Sequence, residues 1–428
     1  MRHGFGEEAP EHFLIENDFH FRYHSGMRLA TVVFAPILTL AVACGGDDPA
    51  QSTSGGGGSG ALGGGGSGGS TGGTAGGGAA GSGGSPSCGV QIPDNYPATD
   101  FDTNTAVEAD VITRFKAFLQ PMKDAELAAT TKPTAAQLTA LFDAGTPSLR
   151  SLTTSYYAGE IDGLISEFEK AAGNTWKPAE PPPATGGIYS KWIFDARGRD
   201  LRQAIEKGMF GATHYLHAVT LTESGPDAKA IDRVLAIYGA HPSFPHDDKD
   251  PTHPDQFTAQ YAKRRDDKTD TNPGFYRKLK ASFIAARTTA AAGADCAADR
   301  DAAVAAIKLD WERVLFATVV FYASDATKKL TVDPPTDADV GAGLHSLGEM
   351  AGFVHGFRQL GATQRKITDA ELDELLGLLG APAAGDATSY KFATDTAIEI
   401  GKLAQVSAKI KAVYGFSDAE METFKVAY

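Results

Sequence analysis

Residues 45–87 are built almost wholly from Gly, Ser, Thr and Ala, and this stretch limits what the rest of the chain can fold into. Such a composition buries too little apolar surface to offset the entropy lost on ordering, so it reads as a flexible tether. A Gly-rich coil of this length has a mean span on the order of 35 Å. Folding is thereby confined to residues 97–428, a length ample for one hydrophobic core.

Ahead of the tether, Met27 and Arg28 precede fifteen uncharged residues, LATVVFAPILTLAVA. A short basic start and an apolar run of this length make an export signal, whereas a membrane span needs roughly 20 residues. Ala41-Val42-Ala43 before Cys44 resembles the lipobox of bacterial lipoproteins, in which cleavage exposes a cysteine that then carries lipid. The usual leucine three positions before the cysteine is Ala41 here, with Leu40 one place early. An ordinary secretory peptide and an uncleaved anchor are the alternatives. Residues 1–26 carry Glu7, Glu8, Glu11, Glu16 and Asp18, which suit no export signal, so Met27 reads as the true start. The expected partner is a membrane, reached through lipid on Cys44. The expected location is extracytoplasmic, with the outer membrane preferred because Gly45 supplies no retention signal.

The whole chain has a formal charge of −14. Without residues 1–43, which hold three basic and five acidic side chains, 36 basic residues face 48 acidic ones, leaving −12. This balance opposes nucleic acid and anionic lipid as partners and is compatible with cationic ligands. With Cys44 lipidated, Cys88 and Cys296 remain in an oxidising compartment. Either they pair, tying the start of the folded body to a distant helical hairpin, or they stay separate thiols.

Residues 97–428 show 3.6-residue periodicity and almost no alternation, which predicts an all-α, multi-helix up-and-down bundle. Helices are expected at 105–120 with Pro121 as the stop, 134–144, 148–157, 160–172, 200–222, 226–238 and 255–265. Others are expected at 273–292, 299–324, 341–357, 369–379 and 389–414, with a last turn capped at Ser417. The proline-rich stretch 176–187 reads as an extended loop. The most apolar helix, 299–324, is expected at the centre.

Segment 341–357, GAGLHSLGEMAGFVHGF, carries five glycines, each costing a helix interior about 1 kcal/mol relative to alanine. On a helical wheel Glu349, Gly348, Gly352 and Gly356 lie within about 60° of His345. Either this is the wet face of an amphipathic helix, or the glycine row admits a close neighbour, as small-residue rows do. A second such row, Ala204, Gly208, Gly211, Tyr215 and Ala218, falls within about 40° on helix 200–222, flanked by Lys207 and His214. If the rows face each other, His345, Glu349, Lys207, His214 and Tyr215 converge on one crevice. They are the candidate ligand-binding set, with His345 and Glu349 the candidate metal ligands.

The pieces FDARGRDLRQAIEKGMFGA, DQFTAQYAKRRDD, LDWERVLFATVVFY and GLHSLGEMAGFVHGFRQL resemble an uncharacterised family of exported bacterial helical proteins. That family is in turn similar to the imelysin-like proteins, and the resemblance covers roughly residues 107–428. It implies a helical, exported, often lipid-anchored protein associated with iron or other divalent metal uptake, with a G-x-H-x-x-E helix as signature. Gly343 and His345 match that pattern, but Gly348 stands where the glutamate belongs and Glu349 follows one residue later.

Two further segments carry polar chemistry. HPSFPHDDKDPTHPD holds His241, His246, His253, Asp247, Asp248, Asp250 and Asp255, which either bind a divalent metal or belong to a loose surface loop. In YAKRRDD, Lys263, Arg264 and Arg265 read as a charged helix end that favours the C-terminal dipole. Residues 97–428 lack the zinc-protease, nucleophile-elbow, P-loop and dinucleotide fingerprints, so no sequence motif supports an enzyme. The leading expectation is a tethered lipoprotein that binds a metal ion or its carrier. The competing one is a structural or adaptor lipoprotein without a small-molecule site.

Overall fold

The computed structural model describes residues 86–128, 130–177, 180–245, 252–266 and 274–426. The export signal, Cys44 and nearly all of the tether lie outside the described residues, as do His246, Asp247, Asp248 and Asp250. Within those bounds the chain is largely helical, a multi-helix up-and-down bundle.

The first part holds α1 (Phe101–Asn104), α2 (Ala106–Leu127), α3 (Ala135–Phe142), α4 (Leu149–Leu152) and α5 (Ser155–Ala171). Pro121 does not stop α2 but lies within it. Proline removes a backbone donor and crowds the carbonyl four residues back, yet Phe118, Leu119, Met122 and Ala125 are buried on both sides and hold the helix together. Thr134 opens α3 with a full capping box. The α5 helix starts earlier than its periodicity suggests, because the Thr154 side chain accepts the Tyr157 amide.

The stretch after α5 ends in an unforeseen hairpin, β1 (Gly187–Tyr189) and β2 (Trp192–Phe194), with Ile188 opposite Ile193. All three residues of β2 are buried, so it lacks the alternation that marks a half-exposed strand. The chain continues as α6 (Leu201–Met209), a π-helical segment (Phe210–Tyr215), α7 (Leu216–Thr222), α8 (Ala228–Tyr238), α9 (Phe257–Arg264) and α10 (Phe275–Ala292).

The spine is α11 (Ala297–Leu330), whose 34 residues span about 50 Å. It packs against α10 and against α12 (Asp337–His355). The remainder comprises α13 (Asp369–Leu378), α14 (Lys391–Thr394), α15 (Thr396–Glu399), α16 (Gly401–Tyr414) and α17 (Asp418–Phe424). The helix expected at 389–414 is thus three pieces, broken where Asp395 leaves helical geometry at φ −119, ψ 37. Thr368 and Ser417 form the capping boxes of α13 and α17. Cys88 and Cys296 are disulfide-bonded, Cα to Cα 5.2 Å, tying the start of the described chain to the turn before α11. None of the described helices is long and apolar enough to cross a membrane.

Candidate functional site

The glycines of α12 and the residue that follows it answer to three different neighbours. A methyl group at Gly348 would stand 2.5 Å from Asp200 Cβ, one at Gly352 2.6 Å from the Gln203 carbonyl oxygen, and one at Gly356 2.1 Å from the Gly208 carbonyl oxygen. Gly211 meets the Gly356 backbone at 2.8 Å in the same sense. The two small-residue rows therefore face each other along a seam, and α6 and α12 approach so closely at these glycines that an added methyl group has no room. Gly341 abuts Ser190 of the hairpin turn, and Gly343 abuts Leu330 of α11.

Polar groups cluster along this seam. Asp200 caps α6 by accepting the Gln203 amide, and its other oxygen meets His345 Nδ1 at 2.8 Å. Trp192 stacks on the imidazole with ring centroids 4.6 Å apart. Lys207 Nζ donates to the Tyr261 hydroxyl at 2.9 Å and lies 3.3 Å from both Glu206 Oε1 and Glu349 Oε1. Arg202 bonds Glu126 at 2.6 Å and Glu206 at 2.7 Å. His345 Nε2 has no hydrogen-bond partner and stands 3.8 Å from Glu349 Oε2.

Burial sets the charge states. It pushes Asp200 up to about 7, against the pull of Arg202 and the Gln203 amide. It pushes His345 down to about 4, with Glu349 opposing and Arg202 and Lys207 adding to the fall. Both directions disfavour an imidazolium–carboxylate pair. For Lys207, burial is outweighed by Glu206, Tyr261 and Glu349, which hold the ammonium well above its ordinary range. Burial likewise fails to neutralise Glu206, which Lys207 and Arg202 keep below the usual carboxylate range. A permanent cation thus sits between two carboxylates at the centre of the seam.

Of the five residues expected to converge, His345, Glu349 and Lys207 do so, while His214 and Tyr215 do not. His214 lies in a pocket of Phe115, Phe210 and Phe257, with neither ring nitrogen hydrogen-bonded. Tyr215 donates to the Gln364 carbonyl beside Phe357. The π-helical segment explains the miss. Its i→i+5 turns advance each residue through a smaller angle, so a wheel drawn at 100° misplaces side chains beyond Met209.

The other polar segments also resolve differently. His241 and His253 stack face to face at 3.8 Å, and Asp255 accepts from the Tyr276 hydroxyl, while the other four residues of that cluster lie outside the described residues. Arg265 is no solvated helix end. It is buried, with its guanidinium 4.0 Å from the Phe321 ring centre and an N–H donating to the Phe424 carbonyl. Among the described residues no group of three or more His, Cys, Asp or Glu is placed to hold a metal ion.

Sequence reading missed a polar cleft of about 70 Å³ lined in part by Gly352, between α5, the end of α12 and residues 381–387. Glu160, Arg197, Arg199 and His355 line it above a floor that includes Leu164, Ala204 and Ala351. These residues come from segments far apart in the chain and share no motif, so only the Arg197-Gly198-Arg199 run hints at a site.

No family model, curated protein or solved structure matches the chain.

Proposed function

We propose that this chain is a membrane-tethered extracytoplasmic scaffold or adaptor, in which the α6–α12 seam fixes helix packing and is not a ligand crevice. The observation that carries this reading is the Lys207 ammonium, 3.3 Å from Glu206 and Glu349, where a bound metal would otherwise balance the carboxylates. Export is supported by the Cys88–Cys296 disulfide, and tethering by the lipobox-like sequence before Cys44. Mass spectrometry of the isolated chain should find lipid on Cys44, and Cys44→Ala should move the protein to the soluble fraction.

One observation favours the metal reading that the imelysin-like resemblance implies. His345 Nε2 and Glu349 Oε2, 3.8 Å apart, are spaced as two ligands of one divalent cation would be, and Asp200 on Nδ1 is the partner a metal-binding histidine often keeps. Metal analysis of protein purified without a histidine tag separates the two. The scaffold reading expects no stoichiometric Fe or Zn in the wild type, His345→Ala or Glu349→Ala. One metal per chain in the wild type, lost in both variants, would establish the cation site instead.

A further inference from the structure

The cleft beside Gly352 has a charge layout that the scaffold reading does not use. Arg197 pairs with Asp386 with half of its side chain exposed, and Asp386 itself is 80% exposed. Arg199 gives Nε to Asp195 and one terminal nitrogen to Glu167, leaving its Nη1 edge outside these bonds. The Glu160 carboxylate takes no hydrogen bond or salt bridge among the described residues. It lies near enough to the Tyr156 and Tyr157 hydroxyls that, after burial itself, its charge raises both. Tyr157 lines the same cleft, its hydroxyl donating to the Ala204 carbonyl.

His355 adds a wall without adding charge. Its Nε2 bonds the Tyr156 hydroxyl at 2.8 Å. Burial, helped by Arg358 and Arg199, holds the imidazole down at about 3. Leu164, Ala204 and Ala351, all buried, give the cleft an apolar floor. A volume of about 70 Å³ limits any occupant to a small molecule, in the size range of the smallest amino acids.

We propose that this cleft binds a small zwitterion of the α-amino acid class. The ligand carboxylate takes the donors of Arg197 and Arg199, displacing the exposed Asp386 from Arg197. Its ammonium pairs with Glu160, and a methyl-sized side chain rests on the Ala204–Ala351 floor. Paired guanidinium and carboxylate groups select for both charges together, because a ligand lacking either leaves one of them without its partner on binding. The proposal does not rest on the seam being a scaffold, and it survives if the seam holds a metal.

Titration calorimetry on the purified full-length chain tests it, with L-alanine, propionate and ethylamine as probes. Alanine should bind saturably, one per chain, and about tenfold or more tighter than either half-ligand, a gap of ~1.4 kcal/mol. Glu160→Gln should reduce alanine to the affinity of propionate, and Arg197→Gln, which leaves Arg199 as the remaining donor, should weaken alanine about tenfold or more. Both side chains are partly exposed, so unfolding midpoints should stay unchanged, and Glu160→Asp should recover part of the binding. Absence of saturable alanine binding at about 10 mM, where even a 1 mM dissociation constant would register, overturns the proposal. So does alanine affinity unchanged in both variants, or propionate binding as tightly as alanine.

Discussion

His345 and His214 are both buried and both held below the ordinary imidazole range, yet they are kept in place by opposite means. His345 has Asp200 at 2.8 Å, Trp192 stacked on its ring and Lys207 one carboxylate away. His214 has three phenylalanine rings and no hydrogen bond on either nitrogen. The first histidine belongs to a network whose members need one another. The second is held by shape alone, and its polarity is a cost. Taking a polar group out of the seam should therefore destabilise the fold, and taking the imidazole out of the pocket should not.

The largest effect is expected at Lys207. Removing one member of a buried ion network leaves its partners uncompensated, so Lys207→Met should cost about 3–5 kcal/mol in urea unfolding. The seam should be nearly as sensitive to bulk. Gly356→Ala forces a methyl group to within 2.1 Å of the Gly208 carbonyl, which should cost about 1–3 kcal/mol through backbone displacement. Gly377→Ala is the matched control. It lies in α13 with nothing within 4 Å of the added carbon, and it should stabilise by up to ~1 kcal/mol.

The pocket should respond with the other sign. Burial lowers His214 to about 3, while an unfolded histidine titrates near 6.5. The unfolded chain therefore binds the extra proton between these values. Stability from this group is complete above about 6.5 and is lost as pH falls towards 3, with a slope of about 1.36 kcal/mol per pH unit at most. His214→Leu should remove one proton's worth of that slope and raise the unfolding midpoint at pH 5. A wild-type slope retained in the variant would mean that His214 is not the group responsible.

Helix existence was legible in the sequence wherever a stripe and a cap coincided, as at Thr134, Thr368 and Ser417. Boundaries failed where tertiary burial outweighed local signals, as at Pro121, which the core carries through α2. The hairpin was hidden because a fully buried strand of three residues leaves no alternation to read. At the seam, the glycine spacing correctly brought His345, Glu349 and Lys207 together, since a wheel works for as long as the helix is regular. It failed for His214 and Tyr215 because nothing in their identities announces a π-helical segment. It was silent on Asp200, Trp192 and Tyr261, which reach the cluster from a cap, a strand and a separate helix. Arg265 misled for a related reason, since a guanidinium over Phe321 cannot be told from a solvated one by sequence alone.

The contrast between seam and pocket rests on the coupling of Lys207 to the carboxylates beside it. A double-mutant cycle of Lys207→Met and Glu349→Gln, followed by urea unfolding at neutral pH, measures that coupling directly. The account predicts that the double variant is more stable than the sum of the two losses implies by about 1 kcal/mol or more, because removing the Glu349 charge relieves what the missing ammonium leaves behind. Losses that add to within about 0.5 kcal/mol would contradict it, leaving the Lys207–Glu349 contact with no part in holding the seam.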